Sequence, residues 1–77
     1  MAMIEDLEEI IRETKGDNNI RIAPKTILLT DLKLDSFDIA QLVSEVERKF
    51  KIKVGDRDIA GFKTVSDIID YIKARKK

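Results

Sequence analysis

The chain has 77 residues, with 15 acidic and 15 basic side chains and neither cysteine nor histidine. We therefore expect one domain, residues 1–77. It should have no disulfides, no metal site of the Cys/His type and no histidine-based catalysis. The net charge of zero argues against a dedicated nucleic-acid binder. No apolar run approaches the ~20 residues needed to cross a bilayer, and the N-terminus is acidic, so a cytoplasmic protein is expected.

The first predicted element is an amphipathic helix that runs from Met3 to Lys15 and ends at Gly16. Its apolar residues recur at helical spacing: Ile4, Leu7, Ile10 and Ile11. A long loop over residues 20–33 follows, because Pro24 and mixed polarity interrupt any periodic pattern. Five apolar residues are expected to anchor this loop: Ile22, Ile27, Leu28, Leu29 and Leu32. A loop of this length in a small domain is often functional.

The second predicted helix follows Asp35 and continues to Phe50. One stripe of apolar side chains at three- and four-residue spacing is predicted to face the core: Ile39, Leu42, Val43, Val46 and Phe50. A second stripe falls on another, outward side of the helix, and we call it the docking stripe: Phe37, Ala40, Ser44, Glu47 and Arg48. Because Phe37 is next to Ser36 at the helix start, this stripe is a candidate surface for a partner protein.

Residues 51–61 are predicted to form a linker and a short helix. Lys51 to Val54 is expected to be extended but unpaired, since no other segment offers a partner strand. Asp56 is the predicted N-cap of a short helix that ends near Gly61. The predicted fold is therefore all-α, a small bundle of three main helices plus one short helix. Its predicted core is Leu7, Ile11, Leu28, Leu42, Val46, Phe50, Val54, Ile59, Val65, Ile68 and Ile72.

The last predicted helix begins at Thr64, which with Asp67 resembles a capping box. Its predicted buried face consists of Val65, Ile68, Ile69 and Ile72. The chain then ends in a basic group that is expected to be a frayed, solvated helix terminus: Lys73, Arg75, Lys76 and Lys77.

Ser36 stands at the start of the second predicted helix, where a serine side chain most often caps the helix by accepting a backbone N–H bond. Asp35 fits the capping role equally well, and Ser36 then becomes the first helical residue with an outward hydroxyl. Asp35 and Asp38 favour the helix N-terminus electrostatically, and they are candidates to hold a cation or a basic enzyme surface near the serine. The residues alone leave both interpretations of Ser36 open.

Two segments resemble the acyl carrier protein family. Residues 31–38, Asp-Leu-Lys-Leu-Asp-Ser-Phe-Asp, are similar to the signature in which an Asp-Ser-Leu triplet receives 4′-phosphopantetheine. Residues 63–72 resemble the final helix of the same family, with its Thr-Val start and Tyr-Ile end. The two segments stand at the family's spacing, so the resemblance covers nearly the whole chain.

The resemblance implies a carrier without catalysis of its own. A phosphopantetheinyl transferase is expected to attach the 4′-phosphopantetheine arm to Ser36, with Asp35 and Asp38 beside it. The thiol of the arm then holds acyl intermediates as thioesters for acyl-transferring and acyl-processing enzymes of fatty-acid, lipid or specialised biosynthesis. In carriers of this family the bundle can part to bury an acyl chain. A monomer is expected.

Several residues differ from the usual pattern of the family. Gln41, Arg48 and Lys49 occupy positions that are commonly acidic, Lys33 replaces a common glycine, and Phe37 replaces the commoner leucine. These differences favour a specialised carrier over a housekeeping one. Two alternatives remain at this point, an aminoacyl or D-alanyl carrier and an unmodified helical module that binds a partner helix.

Overall fold

The computed structural model describes residues 3–75 of the chain. Four helices follow one another: α1 (Met3–Lys15), α2 (Ser36–Phe50), α3 (Asp56–Ile59) and α4 (Val65–Arg75). Within residues 3–75 the only β-type pairing is an isolated antiparallel bridge between Ile27 and Thr64. The predicted all-α bundle with a long loop between its first two helices is therefore confirmed. Lys76 and Lys77 of the predicted basic end lie outside the described residues.

The ends of α1 and α2 follow from local sequence. α1 has acidic residues in its first turn and basic residues in its last, which the helix dipole favours at each end. Gly16 then adopts a φ of 68°, a left-handed conformation that ends a helix with little steric cost for glycine. Lys51, the C-cap after the last residue of α2, is also left-handed and donates its backbone N–H to the carbonyl of Glu47.

The loop between α1 and α2 is held by polar side chains of α1 and by the start of α4. The Glu8 carboxylate accepts the N–H of Ile22 at 2.9 Å, and the Arg12 guanidinium donates to the carbonyl of Ile20 at 2.7 Å. Backbone hydrogen bonds join residues 24–28 of the loop to residues 63–66. The prediction that apolar side chains anchor this loop is only partly confirmed. Leu28 is fully buried, whereas Ile27 is 42% and Leu29 is 58% exposed.

The hydrophobic core lies between α1, α2 and α4, with Leu28, Leu34 and Phe62 added from the connecting segments. Every residue of the predicted core is buried except Val54 and Ile59, which are only partly buried. The physical reason is that the segment of α3 lies at the edge of the bundle and has the core on one side only. Val43, predicted on the core-facing stripe of α2, is also buried, and the core contains three residues that were not predicted as core: Ile10, Leu34 and Phe62. Ile39 and Ile69, predicted on buried faces, are partly buried.

The short helix α3 begins differently from the prediction. Gly55, not Asp56, is its N-cap, and Asp56 is the first helical residue. No side chain caps this end, so α3 depends on contacts with its neighbours. Residues 52–54 of the linker before it form no β pairing, as predicted, whereas Lys51, which was predicted to be extended, has a left-handed conformation at the end of α2.

The capping box of α4 is confirmed. The Thr64 hydroxyl accepts the N–H of Asp67 at 3.2 Å, while the Asp67 carboxylate accepts the N–H groups of Thr64 at 3.0 Å and Lys63 at 2.9 Å. At the other end of α4, Arg75 lies 3.5 Å from the Asp58 carboxylate and 4.7 Å from the centre of the Tyr71 ring. Arg75 is thus solvated as predicted, but it is still helical and makes two side-chain contacts, so the predicted fraying does not apply to this residue.

Two adjacent leucines of the loop provide a matched test of the core. Leu28→Ala should lower the free energy of unfolding by about 2 to 5 kcal/mol, because a fully buried side chain leaves a cavity. Leu29→Ala should change it by about 0.5 kcal/mol or less, since most of this side chain is already in water. Urea unfolding followed by circular dichroism measures both values. Equal losses for the two variants would contradict the position of the loop.

Candidate functional site

Ser36 is the first residue of α2, and it does not cap that helix. The N-cap is Asp35, whose Oδ1 accepts the backbone N–H of Asp38 at 2.8 Å. In return, Oδ2 of Asp38 accepts the backbone N–H of Asp35 at 3.2 Å, which completes a capping box. Because Asp35 caps the helix, Ser36 does not, and its side chain is exposed. This confirms the interpretation in which Ser36 is the first helical residue and not the cap.

Asp38 has a structural role as well as its position beside the serine. Its carboxylate also lies 3.4 Å from Nζ of Lys15 at the end of α1. The backbone N–H of Asp35, and after it Lys15, hold the pKa of Asp38 below its ordinary value. The carboxylate is thus charged and already has partners within the chain. Its predicted role in holding a cation or a basic surface stays a prediction.

The backbone just before the site has an unusual conformation. Lys33 has a φ of 55°, in the left-handed region that glycine adopts without steric cost. This conformation gives a physical reason for the glycine that is common at this position in the resembled family. The chain turns here, so that Leu34 enters the core while Asp35 and Ser36 stay at the surface.

A groove of about 370 Å³ lies directly beside Ser36. Its apolar walls come from the loop, from α2 and from the segment around α3: Leu29, Ile39, Ala40, Ile59, Ala60 and Phe62. Ser36 and Lys63 are its polar members. The groove therefore offers apolar surface to a group attached at the serine, and a cation to an anionic part of that group. Of these lining residues, only Ser36 and Ala40 were named as site residues from the sequence, since the lining comes from three separate segments.

The aromatic and small residues of the docking stripe are exposed, as predicted. Phe37 is 73% exposed, which makes it the most exposed large apolar side chain among the described residues. A shallow hollow on this face is lined by Phe37, Ala40 and Ser44 together with Gln41 and Glu45. Gln41 and Glu45 were not in the predicted stripe, because a periodic pattern does not show how wide an exposed face is.

Of the two charged members of the docking stripe, Glu47 departs from the prediction and Arg48 follows it. The Glu47 carboxylate accepts the N–H of Val54 at 2.8 Å, and the residue is partly buried, so its assignment to the outward face is corrected. Arg48 remains exposed but forms an ion pair with Glu45 one turn earlier on the helix. Lys49 lies 3.7 Å from the carboxylate of Glu9 on α1. The basic residues of α2 are thus largely balanced by acids of the same chain.

The sequence matches the family described as phosphopantetheine attachment site over residues 5–72. It is also 36% identical over 70 residues to an acyl carrier protein of Clostridium perfringens, a match that covers 91% of this chain and 92% of the relative. The chain belongs to the acyl carrier protein family. The carrier is 34% identical over 71 residues to the meromycolate extension acyl carrier protein of Mycolicibacterium aurum, covering 92% of this chain and 73% of that one. A solved structure of a proposed acyl carrier protein from Mycobacterium tuberculosis superposes with a TM-score of 0.88 at 30% identity, covering 95% of this chain and 97% of that one.

Membership of the family confirms three predictions. The protein is a carrier of acyl groups and not an enzyme, its cofactor is covalently attached 4′-phosphopantetheine, and it interacts with acyl-handling enzymes. The same matches favour the acyl carrier over the aminoacyl carrier and the unmodified module. Among residues 3–75 there is no helix with the length and apolar character that crossing a membrane requires.

The two capping boxes make the stability of the carrier depend on pH. Backbone N–H groups, of Asp35 for Asp38 and of Lys63 for Asp67, hold the pKa of each carboxyl below its ordinary value. As the pH falls, these two carboxyl groups are therefore protonated at a higher pH in the unfolded chain than in the folded one. The stabilisation is complete above the unfolded pKa of about 3.9 and is lost as the pH falls through the lower folded values.

We expect the free energy of unfolding to be nearly constant from about pH 7 to about pH 5 and to fall below about pH 4. The double variant Asp38→Asn with Asp67→Asn should be less stable at neutral pH and should show a smaller fall in acid. Urea unfolding across a pH series measures both curves. Parallel curves for the two proteins would show that other carboxylates determine the acid response.

Proposed function

We propose that Ser36 is the residue that bears the 4′-phosphopantetheine arm. The observation that carries this proposal is the Asp35–Asp38 capping box, which leaves an exposed serine hydroxyl at the first position of α2. The N-terminus of a helix favours a negative charge, so it suits the phosphodiester of such an arm. Ser44 lies on the third turn of α2, and Ser66 is partly buried on α4, so neither combines exposure with a helix N-terminus.

The arm supplies a thiol that forms thioesters, in a chain that has no cysteine. Ser36 has the separate task of fixing the point from which this thiol is presented. A tether confines the acyl group near whichever enzyme binds the carrier, so a high effective concentration replaces tight binding. Weak and transient protein contacts are then sufficient. We propose that residues 1–77 work as one carrier domain in this way.

The groove beside Ser36 is the proposed resting place of the acyl group. Ile39 of α2 and Ile59 of α3 both contribute to its apolar lining, and Phe62 in the same lining is almost fully buried. Each methylene that such a surface removes from water contributes about 0.8 kcal/mol. The Lys63 ammonium at the same groove suits an anionic part of the arm. These residues would hold and shield the group without reacting with it.

We infer that the partners are a phosphopantetheinyl transferase and acyl-processing enzymes, which bind the docking stripe apart from Glu47. The exposed Phe37 ring next to Ser36 is the expected anchor, because aromatic side chains dominate many protein interfaces. The Arg48–Glu45 and Lys49–Glu9 pairs leave little excess of either charge on this side of the carrier. Such a surface favours partners without a strongly basic face, which supports a specialised carrier. The cytoplasmic location and the monomeric state stay predictions.

Ser36→Ala tests the attachment site. After incubation with coenzyme A and a phosphopantetheinyl transferase, the wild type should gain the mass of one arm, whereas Ser36→Ala should gain nothing. The variant should keep the wild-type melting temperature, because Asp35 continues to cap α2. Ser44→Ala and Ser66→Ala serve as matched controls and should be modified normally. Full modification of Ser36→Ala would place the arm elsewhere.

Phe37 tests the docking stripe. Phe37→Ser should lower kcat/KM for the transferase by roughly tenfold or more, because an interface loses its aromatic anchor. Phe37→Leu should retain most of the rate, since it keeps an apolar side chain at the same place. Both variants should melt like the wild type, because the ring is mainly in solvent. A normal rate for Phe37→Ser would exclude this residue from the interface.

A further inference from the structure

The wall of the groove opposite α2 is formed by a segment that has little internal stability. Ile59, Ala60 and Phe62 contribute to this wall. α3 itself has four residues, none of which is buried, and no side chain caps its N-terminus. A single helical turn is unstable by itself in water, because forming it fixes several residues for few hydrogen bonds. Contacts from other elements must therefore keep the wall in place.

Tyr71 of α4 makes several of these contacts. Its hydroxyl donates a hydrogen bond to Oδ2 of Asp58 at 2.7 Å, and the carbonyl oxygen of Lys53 lies 3.3 Å from the same hydroxyl. The Tyr71 ring also packs edge to face against Phe62, with the ring centres 5.3 Å apart and the planes at 77°. The Tyr71 side chain thus contacts the linker before α3, α3 itself and Phe62, which lines the groove.

The surroundings of Asp58 orient its carboxylate toward Tyr71. Gly55 lets this carboxylate lie close to the backbone, since a Cβ at that position would be 3.3 Å from Oδ2. Arg75 lies 3.5 Å from the same oxygen and stacks on the Tyr71 ring. Directly before Gly55, the N–H of Val54 donates a hydrogen bond to the carboxylate of Glu47 on α2. The segment is therefore attached to α2 at its start and to α4 through Asp58.

We propose that Tyr71 is a positioning residue of the carrier, whose hydroxyl holds α3 through Asp58 and so determines how often the groove beside Ser36 opens. The proposal rests on the proposed function where it concerns a group attached to Ser36. The position of α3 itself does not depend on that attachment. Net hydrogen-bond contributions are small, so this contact permits opening while it favours the closed groove.

Amide hydrogen exchange on the unmodified protein tests the position of α3. Tyr71→Phe keeps the ring and its packing on Phe62 but removes the hydroxyl. Exchange at the N–H groups of Ile59, Gly61 and Phe62 should become about three- to tenfold faster than in the wild type, relative to the slowest amides of α2. Unchanged exchange in α3, or equal acceleration throughout the chain, would overturn the proposal.

Thr14→Val is the matched control, because it removes a hydroxyl that binds the carbonyl of Ile10 on α1, away from the groove. Exchange in α3 should not change in this variant. Asp58→Asn separates the hydrogen bond from the ion pair with Arg75, since asparagine keeps an acceptor oxygen and loses the charge. It should stay close to the wild type, whereas Asp58→Leu should behave like Tyr71→Phe. Equal opening in Asp58→Asn and Asp58→Leu would assign the effect to Arg75 and contradict the role of the hydroxyl.

A second experiment connects α3 to the groove. Wild type and Tyr71→Phe are loaded by a transferase with hexanoyl-coenzyme A, and the cleavage of the thioester by hydroxylamine is followed by intact mass. Cleavage should be about three- to tenfold faster in the variant, because the chain leaves the groove more often. Equal rates would contradict the connection to the groove. A failure to load would count against Ser36 attachment, while the exchange experiment would still decide the role of Tyr71.

Discussion

The reciprocal hydrogen bonds between Asp35 and Asp38 are the interaction on which the site depends. A helix N-terminus has unpaired N–H groups, and a serine in this position is itself a good cap. In this chain the carboxylate of Asp35, the residue before the serine, accepts the N–H of Asp38, and the carboxylate of Asp38 accepts the N–H of Asp35. The helix is thus capped without Ser36. An exposed hydroxyl, a helix N-terminus and an adjoining groove are brought together as a result.

The second constraint is the order of the connecting segments, since a domain of 77 residues without disulfides has little else to hold them. Glu8 and Arg12 bind the loop that leads to Ser36, and backbone bonds join this loop to the start of α4. Glu47 and Tyr71 bind the segment of α3 in a similar way. Polar side chains on the main helices thus position the two segments that, with α2, form the groove.

Much of this structure could be predicted from the sequence, because helices leave periodic and capping signals. The three main helices, the Thr64–Asp67 capping box and most of the core follow from such signals. The Asp35–Asp38 box was not predicted, because the sequence left the capping role open between Asp35 and Ser36. The failures concern contacts between elements that are distant in sequence. Helical periodicity placed Glu47 on the outward stripe, yet its carboxylate accepts the N–H of Val54 in the following linker. Leu28 was correctly predicted in the core, but Leu29 was predicted to anchor the loop as well, and it is exposed because the loop packs with Leu28 inward.

The most direct test of the account is to locate the arm on the wild-type carrier. The protein is incubated with coenzyme A and a phosphopantetheinyl transferase, digested, and its peptides are fragmented in the mass spectrometer. We expect the added mass on the peptide that contains Ser36, and on that serine within it. An arm on Ser44 or Ser66, or on no serine at all, would contradict the claim that the Asp35–Asp38 capping box presents Ser36 for modification.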